Sequence, residues 1–381
     1  MANNNDKKVL NVPHLRFPEF TGEWKKCIIK DYGEVVTGNT PPTSNAEYYN
    51  NGSYLWASPA DLGMNKKIID TKTKLSLLGF KKTRVIPKGS VLITCIGSTI
   101  GKMGMAVEAM SSNQQINSVV VNDKSNNDFV YYAICRAFPH YLSEVGVQAV
   151  PILSKSNFEK LPNYTTGWEE QNKIGYFLNL LDERIATQNK IIEDLKKLKS
   201  AISDRFFTSI NGDIVTLADI CDIVKGQQIN GEFLSESGKY YVMNGGTEPS
   251  GFYDDYNVEA NTISISEGGN SCGYVQFNTS PFWSSGHCYT IQEITNNVEK
   301  MYLYHYLKSK EDAIMKLRIG SGLPNIQKKD LAKFKVIVPT IELQKTISTF
   351  LSLLERKAEI DKNALNAMQA EKQYLLRQMF I

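Results

Sequence analysis

The sequence predicts an α+β protein with two globular mixed α/β domains, separated by a long antiparallel two-helix coiled coil and pseudo-two-fold symmetric. The first observation behind this prediction is a long amphipathic helical pattern that occurs twice in the chain. The second is a pair of segments outside the helices in which short strand patterns alternate with Gly, Pro, Asn and Ser. The third is the length, because 381 residues exceed what one hydrophobic core usually holds.

The helical repeat divides the chain into five expected segments. They are an N-terminal arm at residues 1–20, a first globular domain at 21–164, a central helix at 165–211, a second globular domain at 212–338 and a C-terminal helix at 339–381. Residues 2–8 are polar apart from Ala2, so we expect them to form a disordered arm.

Composition favours a cytoplasmic protein. Its hydrophobic content of 42% and charged content of 22% are usual for domains that fold in water. The sequence has no apolar run of the ~18 residues that cross a bilayer, and its first residues do not resemble a signal peptide. The six cysteines lack paired spacing, which fits reduced thiols better than disulfides, and we expect no metal site.

Each globular domain opens with a similar pattern, at residues 28–38 and at residues 216–226. In the first domain, residues 85–94 read as a turn that enters a buried strand. In the second domain, residues 262–266 alternate between polar and apolar and end at a Gly-Gly pair. Between the openings and the helices the two domains diverge, which is the pattern of one frame adapted to two different ligands.

The central helix is expected to begin after Thr166, because Thr166 and Glu169 form a capping-box pattern. The C-terminal helix repeats the central one 173 residues later, as Gln171 and Gln344 illustrate. Apolar residues at alternating spacings of four and three predict a coiled-coil seam in both helices. They are Ile174, Leu178, Leu181, Ile185, Ile192, Leu195, Ile202 and Phe206 in the first and Ile347, Leu351, Leu354, Ala358, Leu365, Met368, Leu375 and Met379 in the second.

Polar residues interrupt both seams at matching positions, Gln188 and Lys199 in the first helix and Asp361 and Lys372 in the second. Such interruptions fix the register of a coiled coil. Two separate amphipathic helices, each packed on its own domain, remain an alternative. The coiled coil is favoured because the first helix would be roughly 58 Å long at ~1.5 Å per residue, more than one domain face requires.

Basic residues are concentrated in one stretch of each domain. Residues 66–88 contain eight Lys or Arg and one acid, and residues 308–335 contain eight Lys or Arg and three acids. Each stretch is a candidate phosphate-binding surface, with solvated surface lysines as the equal alternative. Two such domains on an antiparallel coil would suit a DNA target with two half-sites and an unread spacer, since DNA advances ~34–36 Å per turn.

Several segments carry a family resemblance. They are residues 15–24, 56–61, 89–93, 97–101 and 113–115 in the first domain and residues 244–251 and 265–269 in the second. Together with the two helices, they make the chain resemble the specificity subunit of a type I restriction–modification system over essentially its whole length. The resemblance implies two target-recognition domains and a non-catalytic DNA-binding adaptor.

The resemblance also implies partners and their cofactors. Two methyltransferase subunits would bind the helices, and restriction and translocase subunits would join that complex. S-adenosylmethionine would be bound by the methyltransferase, ATP and Mg by the restriction subunit, and no cofactor by this chain.

Candidate DNA contacts are Arg, Lys, Asn, Gln, Ser, Thr and His residues in loops, because these side chains pair with base edges or phosphates. In the first domain they are Lys66, Lys67, Lys81, Lys82, Thr83, Arg84, Ser98, Thr99, Lys102, Gln114 and Gln115. In the second domain they are Asn244, Thr247, Asn270, Ser271, Ser284, Ser285, His287, Lys328 and Lys329. Lys66, Lys67, Lys328 and Lys329 are expected at phosphates and the rest at bases. For each residue singly, a surface or turn role is an equal alternative.

Candidate contacts to a partner subunit are the apolar side chains that lie off the seam, Tyr176, Phe177, Leu198 and Phe350. They also distinguish the two functional hypotheses that stay open. An adaptor needs exposed apolar side chains to bind its partner, whereas a stand-alone two-headed DNA-binding scaffold or regulator would not.

Catalysis by this chain is disfavoured by its sequence. The Asn-Pro-Pro-aromatic motif of an adenine methyltransferase does not occur, and residues 97–103 lack the spacing and the final Ser or Thr of a P-loop. His287 and Cys288 are adjacent, but neighbouring residues of a strand point to opposite faces, so a structural role is favoured over a catalytic pair.

Overall fold

The computed structural model describes residues 10–63, 65–144, 152–269, 271–320, 322 and 324–381. The expected disordered arm at residues 2–8 and the candidate Asn270 lie outside this part of the chain. The chain divides into two compact units, a first unit of residues 1–189 and 363–381 and a second unit of residues 190–362. The domain boundaries predicted from the sequence stay predictions.

The first unit is built around a five-stranded sheet with the strand order β2-β9-β6-β7-β4. A three-stranded sheet of order β5-β3-β8 and a two-stranded sheet of β1 and β10 complete it. The strands are β1 (Lys25–Ile28), β2 (Gly33–Thr37), β3 (Tyr54–Ala57), β4 (Lys67–Ile68), β5 (Thr73–Leu75), β6 (Val91–Thr94), β7 (Met103–Ala106), β8 (Ser111–Ser112), β9 (Ile116–Val121) and β10 (Pro162–Thr165). The helices are α1 (Leu77–Phe80), α2 (Asn127–Glu144), α3 (Lys155–Glu159) and the beginning of α4 (Trp168–Ser209).

The central strand of this sheet confirms the predicted turn and buried strand at residues 85–94. Gly89 has a φ of +84°, which glycine adopts without strain, and the Ser90 amide donates to the Pro87 carbonyl at 3.2 Å. All four residues of β6 are then buried, because apolar side chains cover both faces of the strand.

The second unit repeats this architecture with one strand fewer in its main sheet. That sheet has the order β12-β18-β15-β16. A three-stranded sheet of order β14-β13-β17 and a two-stranded sheet of β11 and β19 complete the unit. The strands are β11 (Asp213–Thr216), β12 (Asp222–Lys225), β13 (Tyr240–Met243), β14 (Phe252–Tyr253), β15 (Thr262–Ser266), β16 (Val275–Asn278), β17 (Trp283–Ser284), β18 (Cys288–Gln292) and β19 (Lys335–Val338). The helices are α5 (Leu217–Ile220), α6 (Lys300–Ser309), α7 (Glu311–Met315), α8 (Lys328–Ala332) and the beginning of α9 (Ile341–Met379).

The repeat found in the sequence is a repeat of hydrogen bonds in the structure. In the first unit the Asn126 amide donates to Gln171 Oε1 at 2.9 Å, and in the second the Glu299 amide donates to Gln344 Oε1 at 2.8 Å. Each glutamine also donates through Nε2 to the carbonyl just before its helix, of Thr166 or of Pro339. The buried glutamines therefore fix the entrances of α4 and α9 in the same way.

The two long helices pair antiparallel inside each unit. In the first unit, Ile174 and Leu178 share a core with Leu375 and Met379. Further along, Lys372 forms an ion pair with Asp182 at 2.5 Å.

In the second unit, Phe206 packs against Phe350 with a ring-centroid distance of 6.2 Å, and Lys199 forms an ion pair with Glu355. The prediction of an α+β fold with two mixed domains and long paired helices is confirmed; the pseudo-two-fold placement of the domains stays a prediction. None of the described helices is both long enough and apolar enough to cross a membrane.

Candidate nucleic-acid interface

Asn39 connects two loops of the first unit, the one that follows β2 and the one that precedes β6. Its Nδ2 donates to the Lys82 carbonyl at 2.9 Å, and its Oδ1 accepts from the Arg84 amide at 2.8 Å. The Arg84 guanidinium donates to the Thr37 carbonyl at 2.8 Å. The candidates Lys81, Lys82, Thr83 and Arg84 are thereby held against the end of β2, and all but Thr83 are exposed.

The loop between β8 and β9 joins the same end of the unit. Thr40 donates from Oγ1 to Gln114 Oε1 at 2.5 Å, and the Gln115 carbonyl accepts from the Cys95 amide at 2.7 Å. Gln115 Nε2 also reaches the Ile96 carbonyl at 3.5 Å, at the start of the turn between β6 and β7. The structure therefore gathers most first-domain candidates at one end of the sheets, including Ser98, Thr99 and Lys102 in that turn.

Lys66 does not belong to this cluster. The residue is 7% exposed, and its ammonium donates to Asp128 at 2.6 Å, to Asn179 at 3.0 Å and to the Tyr132 hydroxyl at 3.1 Å. Burial lowers the pKa of Lys66, and the neighbouring Asp128 opposes that shift. Because its charge is compensated inside the protein, Lys66 is better explained as a link between the first domain and α4 than as a phosphate contact.

Lys67 also faces the helices. Its ammonium lies 2.8 Å from Glu183 in an exposed ion pair. Lys66 and Lys67 line one side of a cavity of about 460 Å³, and Asn179, Asp182 and Lys372 line the other. The basic stretch predicted as one surface is thus split, with residues 66 and 67 at the helices and residues 81–84 at the loop end.

The second unit gathers its candidates at the corresponding end. Asn244 Oδ1 accepts from the His287 amide at 3.3 Å, and the His287 carbonyl accepts from the Glu267 amide at 2.9 Å. These bonds bring together the loops that follow β13, β15 and β17. Thr247 is exposed in the first of these loops, and Ser271 is half-buried in the second.

Ser284 and Ser285 lie in the interior of the second unit and not at the predicted DNA surface. Both are buried, and a Cβ on Gly226 would lie 2.2 Å from the Ser285 carbonyl and 2.4 Å from the Ser284 carbonyl. The Ser284 carbonyl also accepts from the Gln227 amide. These serines hold the loop after β12 against the sheet, so their buried hydroxyls do not reach the surface in this structure. Lys328 and Lys329 are exposed on α8.

The two candidate interfaces use the same backbone positions. The Gly38 amide donates to the Ile116 carbonyl, and the Gly226 amide donates to the Cys288 carbonyl. Gln115 precedes Ile116 by one residue, and His287 precedes Cys288 by one residue, so Gln115 of the first unit corresponds to His287 of the second. Asn39, Thr40 and Gln227 were not among the sequence candidates. Asn39 and Gln227 lie directly after the glycine that ends a matched opening, and Thr40 follows Asn39, which was the available signal.

The adjacent His287 and Cys288 lie in different environments, because the His287 side chain is exposed and Cys288 is buried. Cys288 is buried, and burial raises the pKa of its thiol to about 11, so the thiolate is not populated at neutral pH. In the described part of the chain, no group of three or more His, Cys, Asp or Glu side chains is placed to hold a metal ion.

The predicted partner contacts lie on the long helices, where Phe177 also packs against Phe17 and Phe350 against Phe206. Tyr176, Phe177, Leu198 and Phe350 are all exposed. Phe177 and Phe350 are equivalent in the 173-residue repeat, and so are Leu180 and Leu353, which are also exposed. Each unit therefore presents the same pair of apolar side chains, three residues apart on one helix face.

Comparison with known proteins identifies this architecture. The family model of the type I restriction modification DNA specificity domain matches the chain twice, at residues 21–197 and at residues 211–370. The chain belongs to this family. Its members are the specificity subunits, which recognise the DNA target and are not themselves catalytic, so family membership favours the adaptor over a stand-alone scaffold or regulator.

Relatives support the assignment over different lengths. The chain is 25% identical over 379 residues to the type I restriction enzyme MjaIX specificity subunit of Methanocaldococcus jannaschii, covering 88% of this chain and 87% of the relative. It is 32% identical over 154 residues to the putative type I specificity subunit S.MpnORF638P of Mycoplasma pneumoniae, covering 40% of this chain and 41% of the relative. The chain thus spans less than half of the second relative and most of the first.

A solved structure shows the same fold. The crystal structure of a type I restriction–modification system S subunit from M. genitalium matches with a TM-score of 0.70 at 20% identity, covering 97% of this chain and 99% of that one.

Proposed function

We propose that this chain reads a two-part DNA sequence, with one half-site for each unit and an unread spacer between them. The observation that carries the proposal is the repeated frame, in which equivalent backbone hydrogen bonds hold different side chains, such as Gln115 in one unit and His287 in the other. Two copies of one frame with different side chains suit two different half-sites of duplex DNA.

In the first unit, Lys81, Lys82, Arg84, Gln114 and Gln115 are the proposed base readers, with Thr83, Ser98, Thr99 and Lys102 beside them. Arg and Lys pair with guanine, and Gln pairs with adenine, in the major groove. In the second unit, Asn244, Thr247, Ser271 and His287 have this role. Lys328 and Lys329 on α8 would contact phosphates, which position the protein without selecting a sequence.

We further propose that the helices recruit two methyltransferase subunits. The equivalent exposed pairs, Phe177 with Leu180 and Phe350 with Leu353, offer two copies of one apolar surface, as two copies of one partner would need. The methyltransferase would supply S-adenosylmethionine and transfer methyl groups to adenine. Restriction and translocase subunits, which use ATP and Mg, would join the assembled complex, and the setting would be the cytoplasm.

The test is to co-express the chain with the candidate methyltransferase of its host and to map modified adenines across the genome with and without the chain. We expect a two-part methylated motif that depends on the chain. Methylation that is the same without the chain, or a stable complex that binds DNA and modifies nothing, would contradict the adaptor function.

A further inference from the structure

A buried carboxylate lies directly behind the proposed base-reading surface of the second unit. Glu267 follows β15, and its side chain is 9% exposed. One oxygen, Oε1, is 2.6 Å from the Lys225 ammonium and accepts from the Tyr289 hydroxyl at 3.1 Å. The first unit has Cys95 at the equivalent position, so this charge belongs to the second unit alone.

The other oxygen of Glu267 lacks a donor. Among the described residues, Oε2 is buried and makes no hydrogen bond, and His287 Nδ1 lies 3.4 Å from it. A buried carboxylate oxygen without a donor is costly, so a proton on Nδ1 of His287 is the arrangement that satisfies it. A small approach of the ring brings the pair to ordinary hydrogen-bond length.

The backbone of His287 is fixed while its ring is free to meet a ligand. Its amide is bound to Asn244 and its carbonyl to Glu267, and a Cβ on Gly245 would lie 3.0 Å from that carbonyl. The side chain is 61% exposed. With Nδ1 protonated toward Glu267, a neutral ring presents Nε2 outward as a hydrogen-bond acceptor.

We propose that Glu267 is a positioning residue that makes His287 read one base of the second half-site as a hydrogen-bond acceptor. The bases that offer a donor in the major groove are adenine, through its N6 amine, and cytosine, through its N4 amine. His287 acts in this way only if the second unit binds duplex DNA as proposed above.

The substitution Glu267→Gln tests whether His287 contacts its base as a hydrogen-bond acceptor. Lys225 and Tyr289 are both donors to Oε1, so the carbonyl oxygen of the new amide must occupy that place. The NH₂ group then faces Nδ1 of His287 and donates to it, which moves the ring proton to Nε2. The ring becomes a donor, and the preference should move from adenine or cytosine to guanine or thymine, whose O6 and O4 accept.

The experiment selects binding sequences for the full-length chain from a duplex DNA library with randomised positions, followed by sequencing. We expect Glu267→Gln to reverse the preference at one position of one half-site, and His287→Gln to reduce it about fivefold to tenfold at the same position. Gln115→Ala is the matched control and should alter only the other half-site. Thermal unfolding of each variant checks that it is folded.

The outcomes separate this inference from the proposed function. A wild-type chain that selects no motif contradicts both. A wild-type chain that selects a two-part motif which His287→Gln leaves unchanged, or weakens equally for every sequence, contradicts the reading role of His287. A motif that His287→Gln alters and a folded Glu267→Gln variant does not alter contradicts the positioning role of Glu267.

Discussion

The two units share one frame and differ where that frame meets the proposed DNA surface. The segment from Gly38 to Val91 of the first unit has 54 residues, and the segment from Gly226 to Ile263 of the second has 38. The shorter path leaves out a counterpart of β4, the strand that carries Lys67. From α2 to α4 and from α6 to α9, by contrast, the elements keep one offset of 173 residues. The main difference in length therefore lies in the part that leads to the proposed base-reading loops.

A second comparison concerns the ion pairs on the long helices. Asp182 with Lys372 in the first unit and Glu355 with Lys199 in the second occupy equivalent positions. The neighbours of these pairs differ, because Tyr132 donates to Asp182 at 2.6 Å while the equivalent residue of the second unit is His305. The ion pair between the long helices is thus present in both units, although the neighbouring residue is Tyr132 in one and His305 in the other.

The largest expected effect comes from exchanging one unit's variable part. Replacing residues 212–338 by the corresponding segment of a relative with another specificity should change one half-site completely and leave the other unchanged. The reason is that each loop cluster is held by hydrogen bonds within its own unit. Mapping the methylated motif of the exchanged protein measures this, and a change in both half-sites would show that the units do not read independently.

The equivalent apolar faces should each bind one partner subunit. Phe177→Asp should remove one methyltransferase copy, Phe350→Asp the other, and the double variant both, with a loss of roughly 100-fold in affinity at the altered face. Sedimentation or native mass spectrometry of the mixed subunits gives the stoichiometry. Thr187→Asp, at an exposed position on the same helix, is the matched control. An unchanged two-to-one complex in the double variant would place the partner elsewhere.

The sequence predicted the parts of the molecule that depend on periodic patterns. The seam residues and the turn before Val91 are local signals that correspond to elements of the structure. The helix α4 begins at Trp168, close to the start predicted after Thr166, but the Thr166 hydroxyl donates to Glu170 and not to Glu169. The segments that carry the family resemblance also indicated loops that lie together in the structure, whereas the basic stretches did so only for residues 81–84.

Long-range pairing could not be predicted from local patterns. Lys66 lies in a stretch whose single acid is Asp70, so its composition indicated an open basic surface. Its partners Asp128 and Asn179 are 62 and 113 residues away, and only the tertiary fold brings them to it. The burial of Ser284 and the position of Glu267 behind His287 depend in the same way on sheet pairing between distant strands.

The different residues behind the helix ion pairs should give the two units different responses to acid. Burial lowers the pKa of His305 to about 4, from 6.5 in an exposed chain. The unfolded chain therefore takes up this proton at a higher pH than the folded one. Stability of the second unit falls as pH drops from 6.5 to 4, and this contribution changes no further below 4. The equivalent residue of the first unit is Tyr132, which takes up no proton in this pH range, so we expect no such loss of stability there.

His305→Gln should remove this response while keeping a polar side chain near Ser352, whose hydroxyl lies 3.0 Å from Nε2 of His305. Between pH 7.5 and pH 5 we expect the wild type to lose about 2 kcal/mol more unfolding free energy than the variant. Denaturant titrations at the two pH values measure the difference, with Tyr132→Phe as the control in the first unit. Equal losses in wild type and His305→Gln would show that His305 does not cause the response.

The smallest effect concerns a charge that only the second unit carries. Lys329 on α8 is exposed, and the equivalent position on α3 is Ser156. If Lys329 contacts a phosphate, Lys329→Ala should weaken binding by a similar factor for all sequences and should reduce the slope of log affinity against log salt by about 1. Ser156→Ala should leave that slope unchanged. Affinities measured on the selected duplex and on an unrelated duplex over a range of salt concentrations test both statements. A Lys329→Ala variant that keeps the full slope but changes the selected motif would make Lys329 a base reader, and the second unit would then read DNA from α8 as well as from its loops.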